Sequence, residues 1–196
     1  MIDLGRLCVY AGSNHGADPA YAEAAQALGE LLVRRDIGLV YGGAHKGLMG
    51  VLADSVLAAG GEAVGVIPQD LIDREIAHTG LTELHVVSSM HERKAMMADL
   101  SDGFVALPGG IGTLEELIEV YTWSQLGLHR KPTGVLNVRG YYDALAAFLD
   151  HVVHERFLPA EHRELLVIAE TPEDLLEQLA TFEPPRVGKW LDRDTT

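Results

Sequence analysis

The sequence predicts an α/β fold, a parallel β-sheet covered by helices on both faces. Two observations predict it. Short apolar runs alternate with longer amphipathic segments from one end of the chain to the other. Strands separated by helices of that length cannot pair as hairpins, so they pair parallel through crossovers. The composition, 47% hydrophobic and 22% charged over 196 residues, supplies a core and excludes a disordered chain.

The elements follow in order. Leu7 to Tyr10 is a short apolar strand that breaks at Ala11-Gly12-Ser13-Asn14. Asp18-Pro19 is an N-cap followed by proline at the first helical position. The helix it opens runs to about Arg35, with Tyr21, Ala25, Leu28 and Leu32 on one side. Gly38 to Tyr41 is the second strand, and the glycine-rich stretch Gly42 to Gly50 is a loop before a helix ending near Ala59. Glu62 to Ile67 is the third strand, stopped by Pro68. Gln69 to Gly80 reads as a loop with a short helix. Leu84 to Val87 is the fourth strand, and Met90 to Leu100 is a helix capped by Ser88 or Ser89. Gly103 to Leu107 is the fifth strand, followed by a helix over Leu114 to Gln125. Thr133 to Leu136 and the helix Tyr141 to Glu155 come next. The last strand is Leu166 to Ala169. Thr171-Pro172-Glu173-Asp174 then opens a helix to about Phe182, with cap, proline and early acids in place. One domain, residues 1–182, and a polar C-terminal tail, residues 183–196, account for the chain.

The net charge is −14, and basic residues occur only in short pairs, so no nucleic-acid partner is expected. A small phosphorylated ligand remains compatible with that charge, because it needs a local pocket of amides and not a basic surface. Cys8 is the single cysteine and sits in an apolar strand, where it reads as a small buried hydrophobe. The start Met-Ile-Asp-Leu-Gly-Arg lacks a signal-peptide pattern, and no apolar run is long enough to span a bilayer. The expectation is a cytoplasmic protein with no membrane partner. His151 and His154 share a helix face, but no third ligand has recognisable spacing, so no metal is expected.

In parallel sheets, ligands bind outside the carboxyl ends of the strands. Four segments there carry chemistry. Gly12-Ser13 follows the first strand and lets a backbone approach a ligand closely; a plain turn explains it equally well. Gly42-Gly43-Ala44-His45-Lys46-Gly47-Leu48-Met49-Gly50 has the strand-to-helix context of a phosphate or ribose loop. It matches neither G-x-G-x-x-G nor a Walker A loop. Pro108-Gly109-Gly110-Ile111-Gly112-Thr113-Leu114-Glu115-Glu116 places three glycines between a buried strand and a helix. Amides at that helix start, with the Thr113 hydroxyl, suit a phosphate. Thr113 and Glu116 also have capping-box spacing, in which the glutamate merely satisfies a free amide. Last, Met90-His91-Glu92-Arg93-Lys94 puts two cations in a first helical turn, where the helix dipole disfavours them. A local conflict of that kind points to function. The bland reading is a solvated charge cluster with Glu92.

The last two segments together resemble the LONELY GUY (LOG) family, often labelled lysine decarboxylase. The pattern P-G-G-x-G-T-x-x-E is here Pro108 to Glu116, preceded by the pair Arg93-Lys94. The similarity extends through Tyr41-Gly42-Gly43, Gly47-Leu48-Met49-Gly50, Gly65-Val66-Ile67-Pro68, Arg74-Glu75-Ile76, Thr122-Trp123 and Leu136-Asn137-Val138, covering roughly Leu7 to Phe182. The resemblance implies a Rossmann-like fold, a homodimer and no cofactor. It also implies hydrolysis of cytokinin riboside 5′-monophosphates, and of AMP in many members, to free base and ribose 5-phosphate. Arg93 and Glu116 correspond to the catalytic pair. Glu75, Lys94, Gly109, Gly110, Ile111, Gly112, Thr113, Leu114, Glu115 and Thr122 correspond to the nucleotide-contacting set, with Ser13 and Gly43 beside them. Ala44-His45-Lys46 departs from the smaller or more neutral residues of many relatives. Two other readings stand beside this one: an AMP nucleosidase with no cytokinin preference, and a non-catalytic carrier of a phosphorylated cofactor.

Overall fold

The computed structural model describes residues 2–72 and 77–184. Its centre is a seven-stranded, wholly parallel sheet in the order β4-β3-β2-β1-β5-β6-β7. The strands are β1 (Arg6–Tyr10), β2 (Gly38–Tyr41), β3 (Ala63–Pro68), β4 (Glu83–Val87), β5 (Gly103–Ala106), β6 (Thr133–Leu136) and β7 (Leu166–Ala169). The chain builds outward from β1 to β4, then returns to lay β5 on the free side of β1, in register Leu7 opposite Gly103. The strand order therefore reverses between β1 and β5. The carboxyl ends of these two strands are where a crevice must open.

The period-two alternation of the central strands divides the core between the two faces. Leu7, Val9, Leu39, Tyr41, Val105 and Leu107 pack under α1 (Ala20–Arg34), α2 (Gly47–Ala58) and α8 (Pro172–Ala180). Cys8, Tyr10, Val40, Val64, Phe104, Ala106 and Val135 face α4 (Met90–Asp99), α5 (Ile111–Gln125) and α6 (Asp143–His154). Cys8 is fully buried, and that burial pushes its thiol up to about 12. It is the inert core residue expected.

Several caps act as anticipated. Asp18 Oδ1 accepts the Ala20 amide, Ser89 Oγ accepts the Glu92 amide, and Thr171 Oγ1 accepts the Asp174 amide with Pro172 leading α8. Other boundaries move. The helix placed from Leu114 begins at Ile111, and Gly47 to Gly50 form the first turn of α2 and not a loop. Pro68 is the last residue of β3 and lies opposite Val87; it does not stop the strand short. The helix placed from Tyr141 begins at Asp143 after a 3-10 turn, Val138–Gly140. Two four-residue helices, α3 (Gln69–Ile72) and α7 (Ala160–Arg163), complete the described elements, and α7 had no periodic signal because it spans one turn. No helix among the described residues is long and apolar enough to cross a membrane.

Candidate active site

The β1 and β5 ends are tied directly together. Leu107 N donates to Tyr10 O, and Gly12 N donates to Pro108 O at 3.1 Å. Gly109 has no room for a side chain, since a Cβ there would lie 2.2 Å from Thr113 Oγ1 and 2.9 Å from Gly12 N. At Gly110 and Gly112 a Cβ would meet nothing within 4 Å. Their missing side chains leave open space over the start of α5. The first amides of that helix have no intrahelical acceptor and carry the positive end of the dipole. A cavity of about 280 Å³ opens beside them, lined by Ser13, Gly110, Tyr21 and Tyr141 among others.

The other glycine loop is closed by the chain itself. Leu48 N at the start of α2 donates to Gly12 O, and a Cβ on Gly47 would overlap Asn14 N and Ser13 C at 2.3 Å. The β1 loop thus covers the start of α2, and packing accounts for Gly47 being glycine. Gly43 turns the chain with φ +74°, and its carbonyl accepts the His78 amide at 2.8 Å.

Arg93 is not part of a solvated cluster. It is 8% exposed, and its guanidinium reaches back under the strand ends. Nε donates to Val66 O at 3.1 Å, Nη2 donates to Gly42 O at 3.3 Å, and Nη1 lies 3.5 Å from Glu116 Oε1. Gly42 is required by this approach, because a Cβ would sit 2.0 Å from Nη2. Glu92 turns the other way and accepts from Ser88 N and Ser88 Oγ, which separates it from Arg93.

Glu116 does not cap α5. Gly110 is the N-cap and Thr113 lies inside the helix, so the capping-box reading fails on geometry. The Glu116 side chain is 12% exposed and has Arg93 as its ion-pair partner. Burial pushes its carboxyl above the usual range, and the Arg93 charge opposes that shift without cancelling it. A buried carboxylate with one cation at 3.5 Å retains capacity to take a proton.

Lys94 points at α5 and is held by Glu115 at 2.5 Å and Glu119 at 3.0 Å. Burial would lower its ammonium, but these two hydrogen-bonded carboxylates outweigh burial and raise it. It fastens α4 to α5, and it occupies Glu115 in doing so. Thr122 is exposed on α5, and its hydroxyl donates to Ile118 O. Six residues beyond Glu116, it lies on a different side of the helix. Ile111 and Leu114 belong to the first turn of α5, with Ile111 81% exposed. Glu75 lies outside the described residues.

The fold therefore gathers Ser13, Gly109, Gly110, Gly112 and Thr113 at the crevice, with Arg93 and Glu116 on its α4–α5 flank. Sequence reasoning missed Glu119, Tyr141 and Tyr142. The two tyrosines follow the end of β6, so the strand-end rule that found the glycine loops would have found them. A hollow of about 590 Å³ at the amino ends of β5 and β6, beside Asp3, Asp102 and Lys131, contains neither Arg93 nor Glu116.

Residues 49–179 match the model of a family described as possible lysine decarboxylase. A probable cytokinin riboside 5′-monophosphate phosphoribohydrolase from Oryza sativa subsp. japonica is 50% identical over 179 residues, 91% of this chain and 72% of that protein. A cytokinin riboside 5′-monophosphate phosphoribohydrolase from Arabidopsis thaliana is 50% identical over 179 residues, 91% of this chain and 82% of that protein. Among solved structures, the molybdenum cofactor binding protein from Rippkaea orientalis superposes with a TM-score of 0.66 at 22% identity, covering 90% of this chain and 96% of that one. The molybdenum cofactor carrier protein from Chlamydomonas reinhardtii gives 0.66 at 18% identity, covering 90% and 98%. At such identities the structural likenesses speak for the Rossmann-like fold alone. With half of the 179 aligned residues identical to these phosphoribohydrolases and the glycine-rich helix start intact, the chain belongs to the LONELY GUY family.

Proposed function

We propose that this chain hydrolyses the N-glycosidic bond of cytokinin riboside 5′-monophosphates, and of AMP, to free base and ribose 5-phosphate. The observation that carries the reading is the buried Arg93–Glu116 pair, 3.5 Å apart, on the flank of an open, glycine-rich helix start. The amides at Gly110 to Thr113 suit the 5′-phosphate. Breaking the bond between C1′ and N9 builds positive charge on the sugar, which a nearby carboxylate offsets. Glu116 takes a proton from the attacking water as its oxygen bonds to C1′, and the base leaves with the bond electrons and is protonated from solvent, to which Glu116 later returns its own proton. Arg93 orients Glu116 and keeps it ionised. Phosphate binding at a distance from C1′ holds the nucleotide in the crevice, and it does so alike in the ground and transition states.

The decarboxylase description has no matching chemistry in Lys94. A Schiff-base lysine needs a free, neutral amine, whereas Lys94 is clamped between Glu115 and Glu119 with its charge reinforced. The same proposal includes a cytoplasmic location and a homodimer. The exposed apolar residues Ile118, Leu126 and Leu128 on and after α5 favour pairing of two copies there.

Incubation with AMP and with isopentenyladenosine monophosphate, followed by chromatography of the released base, tests the reading. Base with equimolar ribose 5-phosphate is the expected result, and the ratio of rates names the preferred nucleotide. Binding without release from either substrate would replace the hydrolase with a carrier of a phosphorylated ligand.

A further inference from the structure

Each carbonyl of the β5–α5 turn has its own partner. Leu107 O accepts the Tyr142 hydroxyl at 2.7 Å, Pro108 O accepts Gly12 N, and Gly110 O accepts Leu114 N. Gly109 O accepts the Tyr141 hydroxyl. Three of these partners are backbone or deeply buried groups. The fourth belongs to a side chain that is 39% exposed and lines the cavity beside Gly110.

The Gly109–Gly110 peptide needs that partner more than its neighbours do. In a trans peptide the carbonyl and the following N–H point in opposite directions. Glycine on both sides of the bond leaves either orientation accessible, and nothing lies within 4 Å of the Cβ position of Gly110 to hold it by packing. With Gly109 O bound toward Tyr141, the Gly110 N–H faces the other way. The ring of Tyr141 is itself held edge-on by Tyr21 at 5.7 Å and Tyr142 at 5.0 Å.

We propose that Tyr141 is a positioning residue for the 5′-phosphate, fixing the Gly109–Gly110 peptide so that the Gly110 amide is presented to the anion. The inference rests on the phosphoribohydrolase reading for the identity of the anion and adds a residue outside the P-G-G-x-G-T-x-x-E segment. Tyr142 has a different part. Its buried hydroxyl secures the end of β5, not the glycine peptide.

The test is Y141F, which keeps both ring contacts and removes an oxygen on an exposed side chain. Binding of ribose 5-phosphate is measured by calorimetry, alongside AMP turnover and inhibition by adenosine, which lacks the phosphate. In Y141F the Kd for ribose 5-phosphate and the KM for AMP rise about tenfold, the loss of one hydrogen bond to a charged group. The kcat stays within about twofold, as for binding shared by ground and transition states. The adenosine inhibition constant and the melting temperature stay unchanged. Y142F behaves the opposite way, with a lower melting temperature and an unchanged KM. An unchanged Kd for ribose 5-phosphate in Y141F overturns the proposal, as does an equal weakening of adenosine. Wild-type protein that binds ribose 5-phosphate but releases no base, with weaker binding in Y141F, would remove the hydrolase reading and leave the positioning role standing. Wild-type protein that releases base, with ribose 5-phosphate bound equally by Y141F, would do the reverse.

Discussion

Two Arg–Glu pairs stand at opposite ends of the same parallel sheet, and they are built differently. At the amino end, Arg6 of β1 meets Glu62 just before β3 through two parallel bonds of 2.9 Å, with side chains 35% and 39% exposed. At the carboxyl end, Arg93 and Glu116 make one contact at 3.5 Å with side chains 10% and 12% exposed. The first pair is geometrically complete and half in water. The second is buried and incomplete: the guanidinium divides its donors between Val66 O, Gly42 O and the carboxylate. Burying an ion pair is expensive unless its geometry is excellent. A pair that is buried and loose at once is poorly suited to holding a fold together and well suited to meeting a substrate.

The sharpest way to break this contrast is to neutralise each acid in turn. E116Q lowers hydrolysis by about 10²–10⁴-fold, the usual contribution of a positioned acid or base, while nucleotide binding by calorimetry persists. E62Q leaves turnover unchanged. Equal activity in wild type and E116Q would reduce Glu116 to a structural residue.

R93K keeps the charge but loses the fork that reaches three acceptors. Turnover falls by about 10²-fold, in the range seen when one preorganised donor is removed. Unfolding in urea shows a loss of about 1.5–3 kcal/mol from the hydrogen bonds to Val66 O and Gly42 O. A variant as active as the wild type would mean that only the charge matters.

The pH dependence separates the pairs further. As the proposed base, Glu116 must be ionised, so kcat/KM is expected to fall as pH drops through the carboxyl's raised pKa. The acid limb of kcat/KM, which reports the free enzyme, therefore lies above the 4.5 of an ordinary glutamate. For stability the sign is opposite to that of a salt-bridged acid. A folded-state pKa above the unfolded one means the native state binds the proton more tightly, so the penalty from Glu116 is present above the folded pKa and fades as pH falls through it. E116Q accordingly melts no lower than wild type at neutral pH. An acid limb at or below 4.5 would contradict the burial argument.

The smallest effect belongs to the amino end. A double-mutant cycle on Arg6 and Glu62 gives a coupling of about 0.2–1 kcal/mol, the range for partly exposed pairs, and it shrinks with added salt.

Much of the fold was legible in the chain because its signals are local. Caps at Asp18, Ser89 and Thr171 and the apolar runs of all seven strands lie within a few residues of the elements they specify. Errors arose where a distant segment decided the outcome. Gly47 looked like loop, but it is glycine because the Ser13–Asn14 backbone passes over it. Thr113 and Glu116 had capping-box spacing, yet the helix starts at Ile111, where the turn from β5 closes on β1. The clamp of Lys94 between Glu115 and Glu119 likewise lay outside any local signal, since it joins two helices.

By itself the sequence determined the parallel α/β arrangement and the family, and it singled out Arg93 and Glu116, because hydrophobic period, caps and motif order are carried by neighbours along the chain. Tertiary structure alone decided which of two glycine loops stays open, that Lys94 is clamped by two α5 carboxylates while Arg93 meets only Glu116 at 3.5 Å, and that Tyr141 closes the Gly109 carbonyl of the β5–α5 turn. Those outcomes depend on distances between segments that meet only when β5 returns to lie beside β1, and no local pattern encodes such distances.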